Sequence, residues 1–179
     1  MALEKWKKVD SETVHANPWF AYNIDSYLFP DGKEAKYYYA HTFGSVFIVP
    51  VAESGKIMMV KQYRYLNDRI SIEFPGGGIK KNEDEFYASR KELVEETGFD
   101  GDFEKIGIYN PCNGLTNEIC HVFIARNLRP SHEFSKDKTE DFELEEYSVA
   151  EIEEMIYKNE IYDGMTLAAW SLVRRKLAE

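Results

Sequence analysis

The chain has 179 residues, which is the length of one domain and enough to bury a hydrophobic core without disulfides or structural metals. Its 12 tyrosines, 11 phenylalanines and 3 tryptophans exclude a disordered chain. The formal net charge of -10 provides no attraction to nucleic acid or to an anionic membrane surface, so we expect neither as a partner. An anionic substrate would require a local source of positive charge, such as a bound metal ion.

The start of the chain and its cysteines bear on its location. Met1–Lys8 is basic but carries no apolar run of the kind found in a secretion signal. No later stretch approaches the roughly 20 apolar residues that cross a bilayer. Cys112 and Cys120 are too few for a disulfide framework and are expected to be reduced thiols. We therefore expect a cytoplasmic protein.

The first forty or so residues are predicted to form strands and turns. Residues Ile24–Tyr39 flank the turn sequence Phe29–Gly32, which predicts a β-hairpin. The hairpin is too small to be a domain, so we divide the chain into an N-terminal β-extension, residues 1–43, and a main domain, residues 44–179. Its aromatic face must be buried on the main domain or on a second subunit. The aromatic residues concerned are Trp19, Phe20, Tyr22, Tyr37, Tyr38 and Tyr39.

Three further strands are predicted before the first helix. The apolar runs Gly44–Val51 and Lys56–Tyr63 have strand length and are separated by Ser54–Gly55, which predicts a second hairpin. Arg69–Phe74 has the composition of another strand and ends at Pro75.

A central helix is predicted from Asn82 onward. Asn82 is a suitable N-cap, and Glu85 three residues later completes a pair that resembles a capping box. Gly98 is the natural end of the helix. A helix with these bounds has about 15 residues and is roughly 22 Å long.

The rest of the chain is predicted to form three strands and two helices. The strands are Glu104–Tyr109, Ile119–Arg126 and Phe142–Tyr147, and the helices are Val149–Lys158 and Met165–Leu177. A polar loop, Asn127–Asp141, joins the second and third of these strands. Strands on both sides of a central helix predict a mixed α/β sandwich.

Three glutamates on the central helix are candidate metal ligands. At about 100° per residue, Glu92 and Glu96 lie about 40° apart around the helix, whereas Glu95 lies about 60° from Glu92 on the other flank. Two stacked carboxylates are able to share a divalent metal ion. Like charges at this spacing cost a few tenths of a kcal/mol, so a helix that needed only solubility would alternate its charges. A different side of the helix is expected to face the core: Phe86, Leu93, Val94 and Thr97.

The 23 residues from Gly77 to Phe99 resemble the box of the Nudix hydrolases, Gly-x5-Glu-x7-Arg-Glu-U-x-Glu-Glu-x-Gly-U, where U is a bulky aliphatic residue. The matching positions are Gly77, Glu83, Glu92, Leu93, Glu95, Glu96 and Gly98. Phe99 places an aromatic residue at the last apolar position, and Lys91 replaces the family's arginine. Because lysine lacks the planar fork of arginine, we expect a looser orientation of the neighbouring glutamates.

Other segments resemble one branch of this family. Val60–Arg64 and Glu73–Gly77 are similar to the V-x-Q-Y-R and E-x-P-x-G segments of enzymes that cleave ADP-ribose and other nucleoside diphosphate sugars. Glu140–Leu144 and Asn159–Thr166 are similar to the end of that branch, including its GDP-mannose hydrolases. Pro111–Gly114 differs, because asparagine replaces the second proline of the Pro-Ser-Pro-Gly found in many ADP-ribose enzymes. The base and the sugar therefore remain open.

The resemblance implies a Nudix α/β/α sandwich with a mixed β-sheet and an N-terminal antiparallel β-extension. It also implies a Mg²⁺ cofactor, with Mn²⁺ as a substitute. By similarity, Glu92 and Glu96 are the main metal ligands, Glu95 is an auxiliary ligand, and the carbonyl of Gly76 completes the shell.

In relatives, a further carboxylate from the loop before the last strand acts as the base or as a distal metal ligand. Glu140 is the first candidate for this role and Glu143 is the second.

The resemblance also implies residues that bind the substrate. Arg64 is able to bind a phosphate or stack on the base. Glu73 is able to accept a hydrogen bond from the sugar or the base. Alternatively, each of the two residues forms a salt bridge within the sheet. In related dimers the N-terminal hairpin crosses to the other subunit, which predicts a homodimer and makes Trp19 and Phe20 candidate substrate-binding residues. His121 lies in an apolar strand and is expected to be a core histidine rather than a ligand.

We therefore predict hydrolysis of a nucleoside diphosphate sugar, of the ADP-ribose or GDP-mannose type, to a nucleoside monophosphate and a sugar phosphate. One alternative is a different Nudix substrate, such as NADH or a dinucleoside polyphosphate. Another is a catalytically silent Nudix domain that senses a nucleotide. The three intact glutamates favour an enzyme, whereas the missing arginine favours a silent domain.

Overall fold

The computed structural model describes residues 4–134 and 142–177. Within them the chain forms ten strands, three helices and a short 3₁₀ turn at Tyr65–Asn67. The strands are β1 (Lys7–Ala16), β2 (Ala21–Leu28), β3 (Glu34–His41), β4 (Ser45–Pro50), β5 (Ile57–Arg64), β6 (Arg69–Glu73), β7 (Gly76–Gly78), β8 (Phe99–Tyr109), β9 (Cys120–Pro130) and β10 (Phe142–Tyr147). The helices are α1 (Glu85–Thr97), α2 (Val149–Tyr157) and α3 (Gly164–Leu177). In this part of the chain, no helix is both long and apolar enough to span a membrane.

The chain divides into two compact units. The first unit holds the chain up to Phe43 together with Asn110–Glu118, and the second holds Gly44–Tyr109 and the chain from Ile119 onward. In the first unit, three antiparallel strands form a sheet in the order β1-β2-β3. The backbone N–H of Ala40 on β3 donates to the carbonyl of Leu115 at 2.9 Å, so the 110–118 segment is held to this sheet.

The second unit contains two sheets. One has the order β7-β4-β9-β8 and is mixed, because β4 and β9 are parallel while the other pairs are antiparallel. The other is antiparallel, with the order β10-β5-β6.

The predicted hairpin between Gly44–Val51 and Lys56–Tyr63 is wrong. Its two strands exist as β4 and β5, but they belong to different sheets. An isolated bridge joins Val51, the residue after β4, to Ile57 of β5. All six residues of β4 are buried, and a buried strand needs hydrogen-bonding partners along both of its edges. The strands β7 and β9 supply those partners, so β5 is excluded from the position beside β4.

Helix α1 packs on one face of the mixed sheet, and the second sheet packs with α2 and α3 on the other face. Alternate residues of β4 and β9 point to opposite sides, as the pleat requires. The α1 side contains Val46, Ile48, Phe123 and Ala125 of the sheet with Ala88 and Leu93 of the helix. The opposite side contains Phe47, Val49, Val122 and Ile124 together with Ile57, Met59 and Phe74 of the second sheet and Ile152, Ala169, Trp170 and Val173 of α2 and α3. The predicted mixed α/β sandwich is confirmed.

The hairpin of β8 and β9 is longer than predicted. The strand β8 begins at Phe99 and β9 continues to Pro130, with Asp100 opposite Arg129 in the register. The first part of the predicted polar loop is therefore strand, stabilised on the surface by an ion pair between Arg129 and Asp102 at 3.2 Å. Residues 135–141 of the predicted loop lie outside the described residues.

The N-cap of α1 is Asp84, whereas the sequence predicted Asn82. The side chain of Asp84 accepts hydrogen bonds from the backbone N–H groups of Phe86 at 3.0 Å and Tyr87 at 2.8 Å. An N-cap residue has extended backbone angles, but Asn82 has a φ of 70° in the left-handed region. The predicted end is correct, because Gly98 adopts a φ of 74° at the C-cap.

We expect Asp84→Ala to lower the free energy of unfolding by about 1 kcal/mol, because two N–H groups of the first helical turn lose their acceptor. Asn82→Gly is the matched control, since glycine adopts the left-handed conformation of this residue without strain and the N-cap of α1 is Asp84. Urea unfolding followed by circular dichroism measures both variants. A larger loss for Asn82→Gly than for Asp84→Ala would contradict the assignment of the cap.

Candidate active site

Two glycines of β7 hold the carboxylates of α1. The backbone N–H of Gly76 donates to Oε2 of Glu96 at 3.0 Å. A Cβ atom on Gly77 would lie 2.6 Å from both Cδ and Oε2 of Glu92, so only glycine leaves room for that carboxylate. A Cβ atom on Gly76 would lie 2.3 Å from the carbonyl oxygen of Val46 on β4. The glycine-rich segment is thus a surface of bare backbone on which two glutamate side chains lie.

Glu92, Glu95 and Glu96 lie on the last full turn of α1, the glutamate turn, and their side chains are partly withdrawn from water. Glu96 is 8% exposed, and the side chains of Glu92 and Glu95 are 13% and 21% exposed. Carboxylates that are brought together and desolvated are unfavourable unless a cation balances them. The arrangement therefore differs from a solvated acidic face, in which charges point into water. Phe86, expected in the core, is instead half exposed and contacts Phe103 with ring centroids 5.5 Å apart.

Lys91 supplies part of the balancing charge. Its Nζ lies 3.3 Å from Oε2 of Glu95 and 3.7 Å from Oε1 of Glu92. Burial by itself would lower the pKa of Lys91, but attraction to Glu92 and Glu95 outweighs burial and raises it. Both distances exceed those of a good hydrogen bond, as expected for a point charge that replaces the planar fork of arginine. The adjacent Arg90 takes no part, because it binds Asp100 and Glu133.

The donor set of this turn suits a hard divalent cation. Among residues 4–134 and 142–177, no three side chains of His, Cys, Asp or Glu are grouped closely enough to hold a metal by themselves. Mg²⁺ does not need such a cage, since it keeps several waters and takes one or two carboxylates plus phosphate oxygens of a substrate. Glu92 and Glu96, held on bare backbone within one helical turn, fit that requirement.

Arg64 and Glu73 form a two-pronged ion pair between β5 and β6. Nε of Arg64 donates to Oε1 of Glu73 at 2.8 Å, and a terminal guanidinium nitrogen donates to Oε2. The side chain of Glu73 is 3% exposed, whereas that of Arg64 is 47% exposed. Hydrogen bonding to Glu73 raises the pKa of Arg64, with further contributions from Asp163 and Glu96. The single chain therefore contains the salt bridge between the two strands, and the substrate-binding roles of Arg64 and Glu73 stay predictions.

Of the two candidates for the catalytic base, Glu143 lies among the residues that the structure describes. Glu140 lies outside the described residues. Glu143 is on β10, its side chain is 77% exposed, and its Oε2 lies 3.5 Å from Nζ of Lys61 on β5. Lys61 also binds Glu145 at 3.0 Å. The described partner of Glu143 is thus a cation on the neighbouring strand.

The remaining candidates lie elsewhere in the two units. Trp19 and Phe20 belong to the first unit, between β1 and β2, where they are 81% and 42% exposed and both donate backbone N–H groups to Asn17 at 2.9 Å. Their rings are on the surface of the single chain, and their proposed contact with substrate stays a prediction. His121 is partly buried on β9, and burial followed by the charge of Lys105 lowers its pKa. Its imidazole is therefore neutral at neutral pH.

Sequence reasoning missed two features of the second unit. One is the close approach of Gly77 to Glu92, for which the run of glycines was an available signal. The other is the stacking of Arg69 over the ring of Tyr162, with Cζ 3.6 Å from the ring centroid. No local pattern indicates this contact, because the two residues are far apart in the chain.

The chain is similar to known proteins in family, in sequence and in structure. The family described as NUDIX domain matches residues 41–168. An ADP-ribose pyrophosphatase of Bacillus subtilis (strain 168) is 30% identical over 174 residues, which are 96% of this chain and 94% of that protein. A methanol dehydrogenase activator of Bacillus methanolicus is 27% identical over 91% of this chain and 89% of its own length. GDP-mannose pyrophosphatase of Escherichia coli O1:K1 / APEC is 27% identical over 69% of each chain.

A solved structure described as an ADP compounds hydrolase has the same fold. It matches with a TM-score of 0.85 and covers 99% of this chain and 97% of that chain at 21% sequence identity. The predicted resemblance to the nucleoside diphosphate sugar branch of the Nudix hydrolases, including GDP-mannose hydrolases, is confirmed. Nudix hydrolases generally depend on divalent metal ions. This chain belongs to the Nudix family and is a pyrophosphohydrolase that resembles the ADP-ribose pyrophosphatases.

Proposed function

We propose that the enzyme hydrolyses the pyrophosphate bond of a nucleoside diphosphate sugar, with ADP-ribose as the first candidate substrate and GDP-mannose as the second. The observation that carries this proposal is the placement of the Glu92 and Glu96 carboxylates on the backbone of Gly77 and Gly76. ADP-ribose ranks first because the Bacillus subtilis relative that bears its name is similar over nearly the whole of both chains. The products would be AMP and ribose 5-phosphate.

We propose Mg²⁺ as the cofactor, with Mn²⁺ as a substitute. Glu92 and Glu96 would hold it, with Glu95 as an auxiliary ligand and the carbonyl of Gly76 as a further donor. When bound, the ion would neutralise phosphate charge and lower the pKa of a bound water.

The chain's own residues position these groups and accept a proton. The N–H of Gly76 keeps one oxygen of Glu96 in place, and the absent Cβ of Gly77 admits Glu92 beside it. In the reaction a water oxygen bonds to phosphorus, the bridging P–O bond breaks, and the water's proton passes to a carboxylate base. Glu140 is the first proposed base and Glu143 the second.

We further propose a cytoplasmic homodimer formed through the N-terminal β-extension, in which Trp19 and Phe20 contribute to substrate binding. Support for association comes from the exposed rings of the first unit, since apolar groups of this size are usually covered. They include Trp6, Trp19, Phe20, Tyr22, Tyr37 and Tyr38. The free thiols Cys112 and Cys120 suit the reducing cytoplasm.

We expect hydrolysis of ADP-ribose in the presence of Mg²⁺, at a rate that EDTA abolishes. The assay couples the enzyme to a phosphatase, which releases phosphate from the monophosphate products but not from the intact diphosphate. ADP-ribose, GDP-mannose, UDP-glucose, NADH and diadenosine polyphosphates are compared, and chromatography identifies AMP and ribose 5-phosphate. Preference for NADH or a dinucleoside polyphosphate would replace the proposed substrate. Binding without turnover of any compound would favour the silent sensor.

A further inference from the structure

Two arginines face each other where β5 meets β6. Arg64 is the last residue of β5 and Arg69 the first of β6, and the two are direct partners in the antiparallel register. Like charges at opposed positions in a sheet are unfavourable. Glu73 binds Arg64 through two hydrogen bonds. The positive charge of Arg69 is therefore not balanced by Glu73, which binds Arg64.

Arg69 is held by an aromatic ring rather than by a carboxylate. Its Cζ lies 3.6 Å from the ring centroid of Tyr162. Asp68, its acidic neighbour in the chain, instead accepts a hydrogen bond from the hydroxyl of Tyr63 at 2.8 Å. In the described residues, the ion pairs include none that involves Arg69. Stacking uses the face of a guanidinium group and leaves its N–H donors, which lie in the plane, available to an anion.

The ring of Tyr162 is placed by the start of α3. The next residue, Asp163, accepts a hydrogen bond from the backbone N–H of Thr166 at 2.7 Å and so caps that helix. The guanidinium of Arg69 consequently lies on a support built from a helix terminus rather than from a mobile loop. A preorganised cation of this kind loses little conformational entropy when an anion binds.

The arginine pair is connected to Glu96 through the chain segment that follows β6. Glu73, which binds Arg64, lies three residues before Gly76, and the N–H of Gly76 donates to Glu96 at 3.0 Å. A pyrophosphate carries negative charge on both of its phosphates. The metal ion that Glu92 and Glu96 would hold would neutralise one phosphate. The other phosphate then needs positive charge from a side chain of the protein. In a chain with a formal net charge of -10, that charge must be local.

We propose that Arg69 binds the substrate phosphate that is remote from the glutamate turn, and that Tyr162 is the positioning residue that holds Arg69. This proposal rests on the proposed function, since it names a group that recognises the substrate in the same site. The ligand chemistry is a phosphate within a diphosphate linkage. Arg64 already has Glu73 as its partner.

We expect Arg69→Gln to raise the KM for ADP-ribose about 10- to 100-fold while kcat stays within about twofold, because lost binding common to the ground state and the transition state appears in KM. Arg129→Gln is the matched control, since Arg129 is a surface cation paired with Asp102 on the β8–β9 hairpin. Tyr162→Phe keeps the ring and should behave like the wild type. Tyr162→Leu removes the ring and should raise KM by a smaller factor than Arg69→Gln.

Measurements of product affinity and of thermal stability distinguish a substrate-binding role of Arg69 from a purely structural role. Calorimetry with AMP and with ribose 5-phosphate should show weaker binding of one product to the Arg69→Gln enzyme and unchanged binding of the other. The melting temperature of the free enzyme should not fall, because the substitution also removes the repulsion between opposed arginines. Unchanged KM and unchanged product affinities would overturn the proposal. A fall in kcat accompanied by a fall in the melting temperature would also overturn it, because it would indicate a structural role for Arg69.

One measurement does not depend on turnover. If the wild-type enzyme hydrolyses none of the nucleotides, calorimetry with inorganic pyrophosphate in Mg²⁺ still tests the role of Arg69. Binding that is lost in Arg69→Gln and kept in Arg129→Gln would support the phosphate site while the proposed reaction fails. Equal binding to both variants would overturn the phosphate site as well.

Discussion

Glu96→Gln should abolish metal-dependent hydrolysis while leaving the fold intact. The glutamine carbonyl is able to accept the hydrogen bond from Gly76 N–H that Glu96 now accepts at 3.0 Å, so the contact between α1 and β7 is retained. The negative charge that would hold a divalent cation is lost. We expect kcat to fall at least about 1,000-fold, or about 4 kcal/mol of barrier, with ADP-ribose and saturating Mg²⁺. Thermal unfolding of the same preparation checks the fold.

Glu154→Gln is the control for this prediction. It makes the same chemical change on α2, where Glu154 is 58% exposed and pairs with Lys158 one helical turn later. Surface pairs of this kind contribute little, so both activity and stability should match the wild type. Wild-type turnover in Glu96→Gln would remove Glu96 from the metal ligands. A large fall in its melting temperature would mean that the charge is needed for folding instead.

Gly77→Ala should strongly reduce the rate of hydrolysis with little effect on the stability of the enzyme. The new Cβ would lie 2.6 Å from Cδ and Oε2 of Glu92 and 2.9 Å from Oε1. The clash is with the far end of a flexible side chain, which is able to rotate away without moving the backbone. Glu92 would then leave the position from which it serves a metal, and displacement by about 1 Å at a reacting centre costs roughly 100-fold in rate.

Gly78→Ala is the matched control, because it is the next residue of β7 and a Cβ atom there meets nothing within 4 Å. The two variants make the same change in the same three-residue strand and differ only in contact with Glu92. We expect kcat/KM to fall about 100-fold for Gly77→Ala and to stay near the wild-type value for Gly78→Ala. Equal effects of the two substitutions would indicate a general need for glycine in β7, and full activity of both would mean that the position of Glu92 is not critical.

The element types of the main domain were largely predictable, but their partners were not. The stop of α1 at Gly98 was correct because a C-cap is a local backbone property. Its start was misplaced, because Asp84 and Asn82 are both good caps by composition and only the backbone angles distinguish them. The strands β4 and β5 were identified by composition and paired incorrectly, because the burial of β4 between β7 and β9 is decided by distant segments.

The family, the central helix and the three glutamates were predictable from the amino-acid sequence, because the box that carries them is contiguous and its spacing sets which carboxylates share a helical turn. The contacts that hold those residues depend on the folded chain. The tertiary structure placed the backbone of Gly77 against Glu92, gave Lys91 two carboxylate partners and paired Arg64 with Glu73. It also set Arg69 on Tyr162. The contacts across strands and between distant segments depend on packing of the whole domain, and no local pattern records them.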